Sequence, residues 1–148
     1  MTPQLAQPVI DVHVILRTGD KVLLSQRGGE YGHGRWHLPS GKLDEGEPLT
    51  TGAARELFEE VGVSVDPDRL RLVHTVHHKQ NSTVSRIGFF FEAAEWIGEP
   101  FNREPDKCLA VEWHPVHDLP EDIIEYPRAG LLAHLGGLGG TLTEHGWS

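Results

Sequence analysis

Glu47, Arg55, Glu56, Glu59 and Glu60 bring four carboxylates and a guanidinium into one short stretch of the chain. Glu56 and Glu60 are four residues apart and Glu56 and Glu59 three apart, so on a helix all three side chains converge near one edge. Two readings fit such a cluster. One is a solvated acidic face, the usual explanation of grouped glutamates. The other is a seat for a hard divalent cation, which takes carboxylate and carbonyl oxygens. Like charges at these spacings destabilise a helix unless a cation neutralises them, and Arg55, four residues before Glu59, is a single positive group against the cluster. The preceding loop favours the cation: Pro39-Ser40-Gly41-Lys42, then Asp44, Glu45, Gly46 and Glu47, can supply carbonyl as well as side-chain oxygens.

The glutamates need a helix to hold them. Glu47 and Pro48 open one, with Pro48 suited to the first helical position, and Gly62 stops it. Ala53, Ala54, Leu57, Phe58 and Val61 recur at helical spacing and predict its buried stripe. Residues 1–8 read as a loose tail. Val9–Arg17 reads as a strand, with Lys21–Arg27 as its hairpin partner across Thr18-Gly19-Asp20. Asp11 and His13 share one face of that first strand and Ile10, Val12, Val14 and Leu16 the other. The polar pair faces either a pocket or a half-exposed surface. Leu70–His78 and Ser85–Ala94 read as two further strands around a turn near Gln80-Asn81-Ser82. Their three consecutive phenylalanines, Phe89–Phe91, are expected to pack in the core rather than serve as a stacking platform. Cys108–Trp113 returns as a strand. Arg128–Leu135 reads as a second helix, ended by Gly136-Gly137. The pattern predicts a mixed α+β layered domain.

The segment Gly41–Val63 resembles the Nudix box, G-x5-E-x7-R-E-U-x-E-E-x-G-U with U apolar, at every fixed position. The matching residues are Gly41, Glu47, Arg55, Glu56, Leu57, Glu59, Glu60, Gly62 and Val63. A motif this long is far more specific than a lone glycine pattern. The family often has Pro-Gly-Gly where this chain has Pro39-Ser40-Gly41, and serine fits many turns. The resemblance implies the Nudix fold, a mixed β-sheet sandwiched between α-helices. It implies a single domain over residues 1–148 with a core at about 9–135. Glu95-Trp96-Ile97-Gly98-Glu99-Pro100, followed by Glu104, is similar to a segment of MutT-type nucleotide pyrophosphohydrolases. A glutamate at the place of Glu104 there adds a metal ligand from outside the box; a solvated loop carboxylate is the plainer alternative.

The resemblance also implies an activity: Mg2+-dependent hydrolysis of a diphosphate linkage in a nucleoside di- or triphosphate, releasing the monophosphate. Such chemistry needs the phosphate charge neutralised and a water activated and held in line. Magnesium, with manganese as an alternative ion, suits that task. The implied metal ligands are the Gly41 carbonyl, Glu59, Glu60 and Glu104. Glu56 is either a ligand or the base, and Arg55 orients a box carboxylate. Glu47 orders the loop or assists the metal. Lys42 and Arg27 are candidates for the substrate phosphates, or plain surface charges. Glu125, near the place of a base-reading amide in MutT-type enzymes, is a candidate for choosing the base.

Composition sets the outer limits. A chain of 148 residues with 38% hydrophobic and 24% charged residues is that of a folded domain, not a disordered segment. A net charge of −9 argues against a general grip on nucleic acid or anionic membrane. Bound cations reverse that sign locally, so a phosphate substrate remains compatible. The single cysteine, Cys108, rules out an intrachain disulfide. The N-terminus has neither a basic region nor an uninterrupted apolar core, so no signal peptide or membrane span is expected and the cytoplasm is the expected compartment. The expected partner is a nucleotide or another nucleoside diphosphate-linked small molecule, with no nucleic acid and no membrane; a homodimer is left open. His74, His77 and His78, with His114 and His117, invite a zinc reading, but residues three apart on a strand point to opposite faces. Markers of the ADP-ribose, dinucleoside polyphosphate and NADH subgroups are missing. The rivals are a nucleotide-sugar hydrolase, a non-catalytic nucleotide-binding Nudix domain, and an isopentenyl diphosphate-type isomerase. The intact box weighs against the second, and the lack of a placed cysteine against the third.

Overall fold

The computed structural model describes residues 2–137 and 141–148. In chain order the elements are β1 (Val9–Thr18), β2 (Lys21–Arg27), β3 (Trp36–His37), β4 (Ser40–Lys42), α1 (Leu49–Val61), β5 (Arg71–Lys79), β6 (Ser85–Ala93), β7 (Cys108–Pro115), α2 (Glu125–Gly136) and β8 (Leu142–His145). The strands run β3-β2-β1-β6-β5-β8, with β4 joined to β1 and β7 to β2. This is the mixed sheet between helices that the sequence implies.

The centre of the sheet is the parallel pair β1 and β6, in register from Val9 opposite Arg86 to Leu16 opposite Ala93. Parallel strands in the middle of a sheet are buried on both faces, and the sequences comply. Val12, Val14, Leu16, Phe91 and Ala93 pack under Ala53, Leu57 and Val61 of α1. Ile15, Val76 and Phe90 pack on the other side with Leu131 of α2. Phe90 is fully buried and Phe91 nearly so, so these rings are core.

Several expectations need correction. The β1–β2 hairpin pairs only at its turn, Arg17 with Val22 and Thr18 with Lys21. Beyond that the strands separate, β1 toward β4 and β6, β2 toward β3 and β7. Pro48 stands one position before the helix, as its N-cap, while Gly62 closes it in a left-handed conformation with φ 74°. Phe58 is not in the buried stripe; it is 47% exposed and lies under the Arg103 guanidinium. α2 starts at Glu125, three residues earlier than expected, and takes Pro127 into its first turn, where a missing N–H leaves no hydrogen bond broken. In the glycine-rich tail, residues 138–140 lie outside those described, and Leu142–His145 forms a strand parallel to β5. Among the described residues no helix is long and apolar enough to cross a membrane.

Candidate active site

β4 is the turn that the box begins on. It runs antiparallel to β1, with Val12 opposite Gly41 and His13 opposite Ser40, and this lays the Gly41 backbone against α1. The contact is so close that a Cβ on Gly41 would fall 2.1 Å from the carboxyl carbon of Glu56. Only glycine lets that carboxylate lie flat on the turn. Glu60, one helical turn further on, accepts the Ser40 N–H at 2.9 Å. The i, i+4 spacing of the sequence therefore sets two carboxylates side by side along one loop backbone.

Arg55 organises the outer half of the cluster. It meets Glu47 through two hydrogen bonds of 2.8 and 2.9 Å, Glu56 at 3.0 Å and Glu59 at 3.3 Å. Glu47 also accepts the Asp44 N–H at 3.0 Å, so it braces the loop and the arginine together. The Arg55 hydrogen bonds hold the Glu47 carboxyl down at about 2. Glu56 is different: burial raises its pKa more than Arg55 lowers it, and Glu59 and Glu104 add to the rise. Glu60 is pushed well above the usual carboxylate range, first by burial and then by Glu56 and Glu104. Glu59 is half exposed at the rim.

Glu104 is not on the helix, yet the fold brings it in. The loop that carries it caps α1: Phe101 N–H bonds to Val61 O at 3.0 Å and Arg103 N–H to Glu60 O at 3.2 Å. Arg103 Nη1 reaches Phe58 O at 2.9 Å. Helix C-termini leave carbonyls in need of such donors and favour a cation there. Asn102 Oδ1 then takes the Glu104 N–H at 3.0 Å, and Glu104 shares a hollow with Glu60, Arg27, His37 and Cys108.

The donor set suits a hard divalent cation. Glu56, Glu60 and Glu104 repel one another; Arg55 offsets Glu56 and Lys107 stands 4.0 Å from Glu104, while among the described residues Glu60 has only the Ser40 N–H. A carboxylate as withdrawn from water as Glu60 is costly unless a cation joins it. Among the described residues no three carboxylate, imidazole or thiol groups stand close enough to enclose an ion as they are; Glu56 is turned toward Arg55.

Beside the carboxylates opens a cleft of 390 Å³. Glu60, Ser40 and Gly41 line one part of it, and so do Arg27 and Lys42. Arg27 is steadied by a 2.7 Å bond from Nε to Tyr31 O. The remaining wall includes Asp11, His13, Arg86, Tyr126 and His78. Asp11 receives Arg86 through two bonds of 2.8 and 2.9 Å and the Tyr126 hydroxyl at 2.9 Å. His13 stacks on Phe90 with centroids 4.2 Å apart. Its two ring nitrogens are buried without a hydrogen-bond partner among the described residues. Burial lowers its pKa to about 4. The Asp11–His13 face of β1 thus looks into a pocket. Glu125 is not among the cleft's lining residues; it is exposed at the start of α2, and its neighbours Ile124, Tyr126 and Pro127 face the cleft instead.

Arg86, Tyr126, His37 and His78 were missing from the sequence-based set. Alternation on β1 marks Asp11 and His13, but Arg86 joins them only through the parallel register that sets Gly88 opposite Asp11. A Cβ on Gly88 would lie 2.3 Å from the Tyr126 hydroxyl, so that glycine was the available hint of a close approach.

The model of the NUDIX domain matches residues 7–135. A MutT-like protein of Streptomyces ambofaciens is 30% identical over 132 residues, covering 89% of this chain and 79% of that protein. The human 8-oxo-dGDP phosphatase NUDT18 is 28% identical over 122 residues, 82% of this chain but only 35% of its own length. Among solved structures, the MutT Nudix hydrolase of Burkholderia pseudomallei superimposes with a TM-score of 0.79 at 29% identity, covering 85% of this chain and 97% of that one. Box, fold and relatives agree, and the chain belongs to the Nudix family of hydrolases.

Proposed function

We propose that the protein hydrolyses the diphosphate linkage of a nucleoside di- or triphosphate with Mg2+, releasing the nucleoside monophosphate. The observation that carries this is the pairing of Glu56 and Glu60 on the Gly41 turn, at the edge of a cleft whose far wall is aromatic and hydrogen-bonding. Glu60 and Glu104, with the Gly41 carbonyl and Glu59 at the rim, are the residues to hold the metal. When bound, the metal supplies charge neutralisation for the diphosphate and an acidified water. Glu56, whose pKa burial raises, is suited to take the water's proton. Arg55 keeps Glu56 and Glu59 in register, and Glu47 keeps Arg55 in place. Arg27 and Lys42, both on the cleft wall, are suited to the substrate phosphates. The human relative's name, an 8-oxo-dGDP phosphatase, supports a nucleotide as the substrate class.

The test is a panel of nucleoside di- and triphosphates and nucleotide sugars incubated with Mg2+, with the products identified. A triphosphate yielding monophosphate and pyrophosphate, or a diphosphate yielding monophosphate and phosphate, is the expected result. Cleavage confined to nucleotide sugars would move the substrate class. Tight binding with no cleavage of any member would overturn hydrolysis.

A further inference from the structure

β8 lies beyond the residues that the family model covers, yet it supports the cleft. It runs parallel to β5 with His78 opposite His145, and the Nδ1 atoms of these two rings are 3.0 Å apart. At that distance one imidazole donates and the other accepts, so the two tautomers are coupled: the donor ring carries its proton on Nδ1 and the acceptor ring, when neutral, on Nε2. On its other side His78 stacks on Tyr126, centroids 4.6 Å apart and planes 11° from parallel. Both rings line the cleft. β8 is itself held at two further points. Thr143 Oγ1 is 2.7 Å from His74 Nε2, and Trp147 Nε1 donates to His77 O at 2.9 Å.

We propose that His145 is a positioning residue for substrate binding: it fixes the tautomer and ring orientation of His78, which with Tyr126 forms the cleft wall that grips the part of the substrate beyond the diphosphate. This rests on the functional reading above. With Nδ1 committed to His145, His78 has Nε2 left for a ligand. When His145 donates, that Nε2 carries the proton and suits a carbonyl or ring-nitrogen acceptor on a planar heterocycle. Burial first, then the charges of His145 and Arg86, hold His78 below the ordinary histidine range, against the upward pull of a hydrogen bond to His145 and of Asp11, consistent with a neutral ring.

The experiment compares His145→Ala, His145→Asn, His78→Ala and the double alanine variant on the best panel nucleotide. His145→Ala is expected to raise KM about fivefold, the scale of one hydrogen bond, with kcat little changed. His145→Asn, whose amide can still donate to Nδ1, is expected to recover most of the loss. The double variant is expected to be no worse than His78→Ala alone, since residues acting through one another are not additive. An unchanged KM in His145→Ala, additive losses, or a fall in kcat matched by a fall in melting temperature would overturn the proposal. Nitrogen NMR of the wild-type His78 ring adds a readout free of variant folding: one dominant tautomer is expected, and free exchange between two would overturn it. If the wild type cleaves nothing, the functional reading fails separately, and the same comparison is made on nucleotide binding with Ca2+. A Kd about fivefold weaker in His145→Ala then supports the positioning role, whereas an equal Kd, or no binding by the wild type, overturns it.

Discussion

Glu60 and Arg55 divide the box between them. Arg55 directs its donors to Glu47, Glu56 and Glu59. Among the described residues Glu60 receives only the Ser40 N–H, and its pKa rises through burial and the neighbouring carboxylates. A group whose pKa is raised by folding stabilises the fold at low pH and loses that contribution as pH climbs through the folded value. In EDTA at neutral pH, Glu60→Gln is therefore expected to melt higher than wild type by roughly 2–4 °C, the scale of about 1 kcal/mol in a chain of this size. The gap should widen with rising pH. Added Mg2+ should then raise the melting temperature of the wild type and leave the variant unmoved. A variant that melts lower in EDTA, or gains equally from Mg2+, would count against Glu60 as a ligand.

At the scale of elements, the site is a turn pressed against a helix and capped by a loop. A methyl group on Gly41 would displace the Glu56 carboxylate, the free end of a long side chain, from the turn. Because that carboxylate can swing aside, Gly41→Ala should cost less than about 1 kcal/mol of stability, below the range for overpacking a core. Urea unfolding measures the cost. It should also lower turnover far more than KM, because it moves a carboxylate rather than the cleft. An alanine variant of wild-type activity would mean that Glu56 need not lie on the turn. α1 was legible in the sequence because periodicity, Pro48 and Gly62 all mark the same span. Phe58 was misread because its ring continues the helical spacing but meets Arg103 from the capping loop, a contact no local pattern carries. β3 and β4 are two and three residues long, too short to show any period. The start of α2 was placed too late because proline usually reads as a boundary, whereas Pro127 sits in the first turn. The carboxylate half of the candidate site was thus written in one helix and its turn. The cleft half is assembled from β1, β5, β6 and α2, which only long-range pairing brings together.

Across the whole molecule, the parallel β1–β6 pair separates an apolar layer under α1 from a mixed layer that holds the buried His13 and the half-buried His37. Burial holds His13 at about 4 and His37 at about 3, against an ordinary 6.5. Between those values the unfolded chain takes up protons that the folded chain refuses. These histidines therefore weaken the fold as pH falls from about 6.5 toward about 4, and their effect levels off below their folded values. Glu56 and Glu60 act in the opposite sense, so the cleanest readout is a difference. Stability measured against pH should fall less steeply in His13→Gln than in wild type across that window; equal slopes would mean that His13 titrates freely in the folded protein. All of this architecture serves one claim, that carboxylates of the box on the Gly41 turn drive cleavage of a diphosphate. Its most direct test is the turnover of the best panel nucleotide by wild type and Glu60→Gln at saturating Mg2+, with circular dichroism confirming that both are folded. A loss of about a hundredfold or more is expected, as for removal of one strong electrostatic stabiliser of a transition state; near-normal turnover by a folded Glu60→Gln variant would contradict that claim.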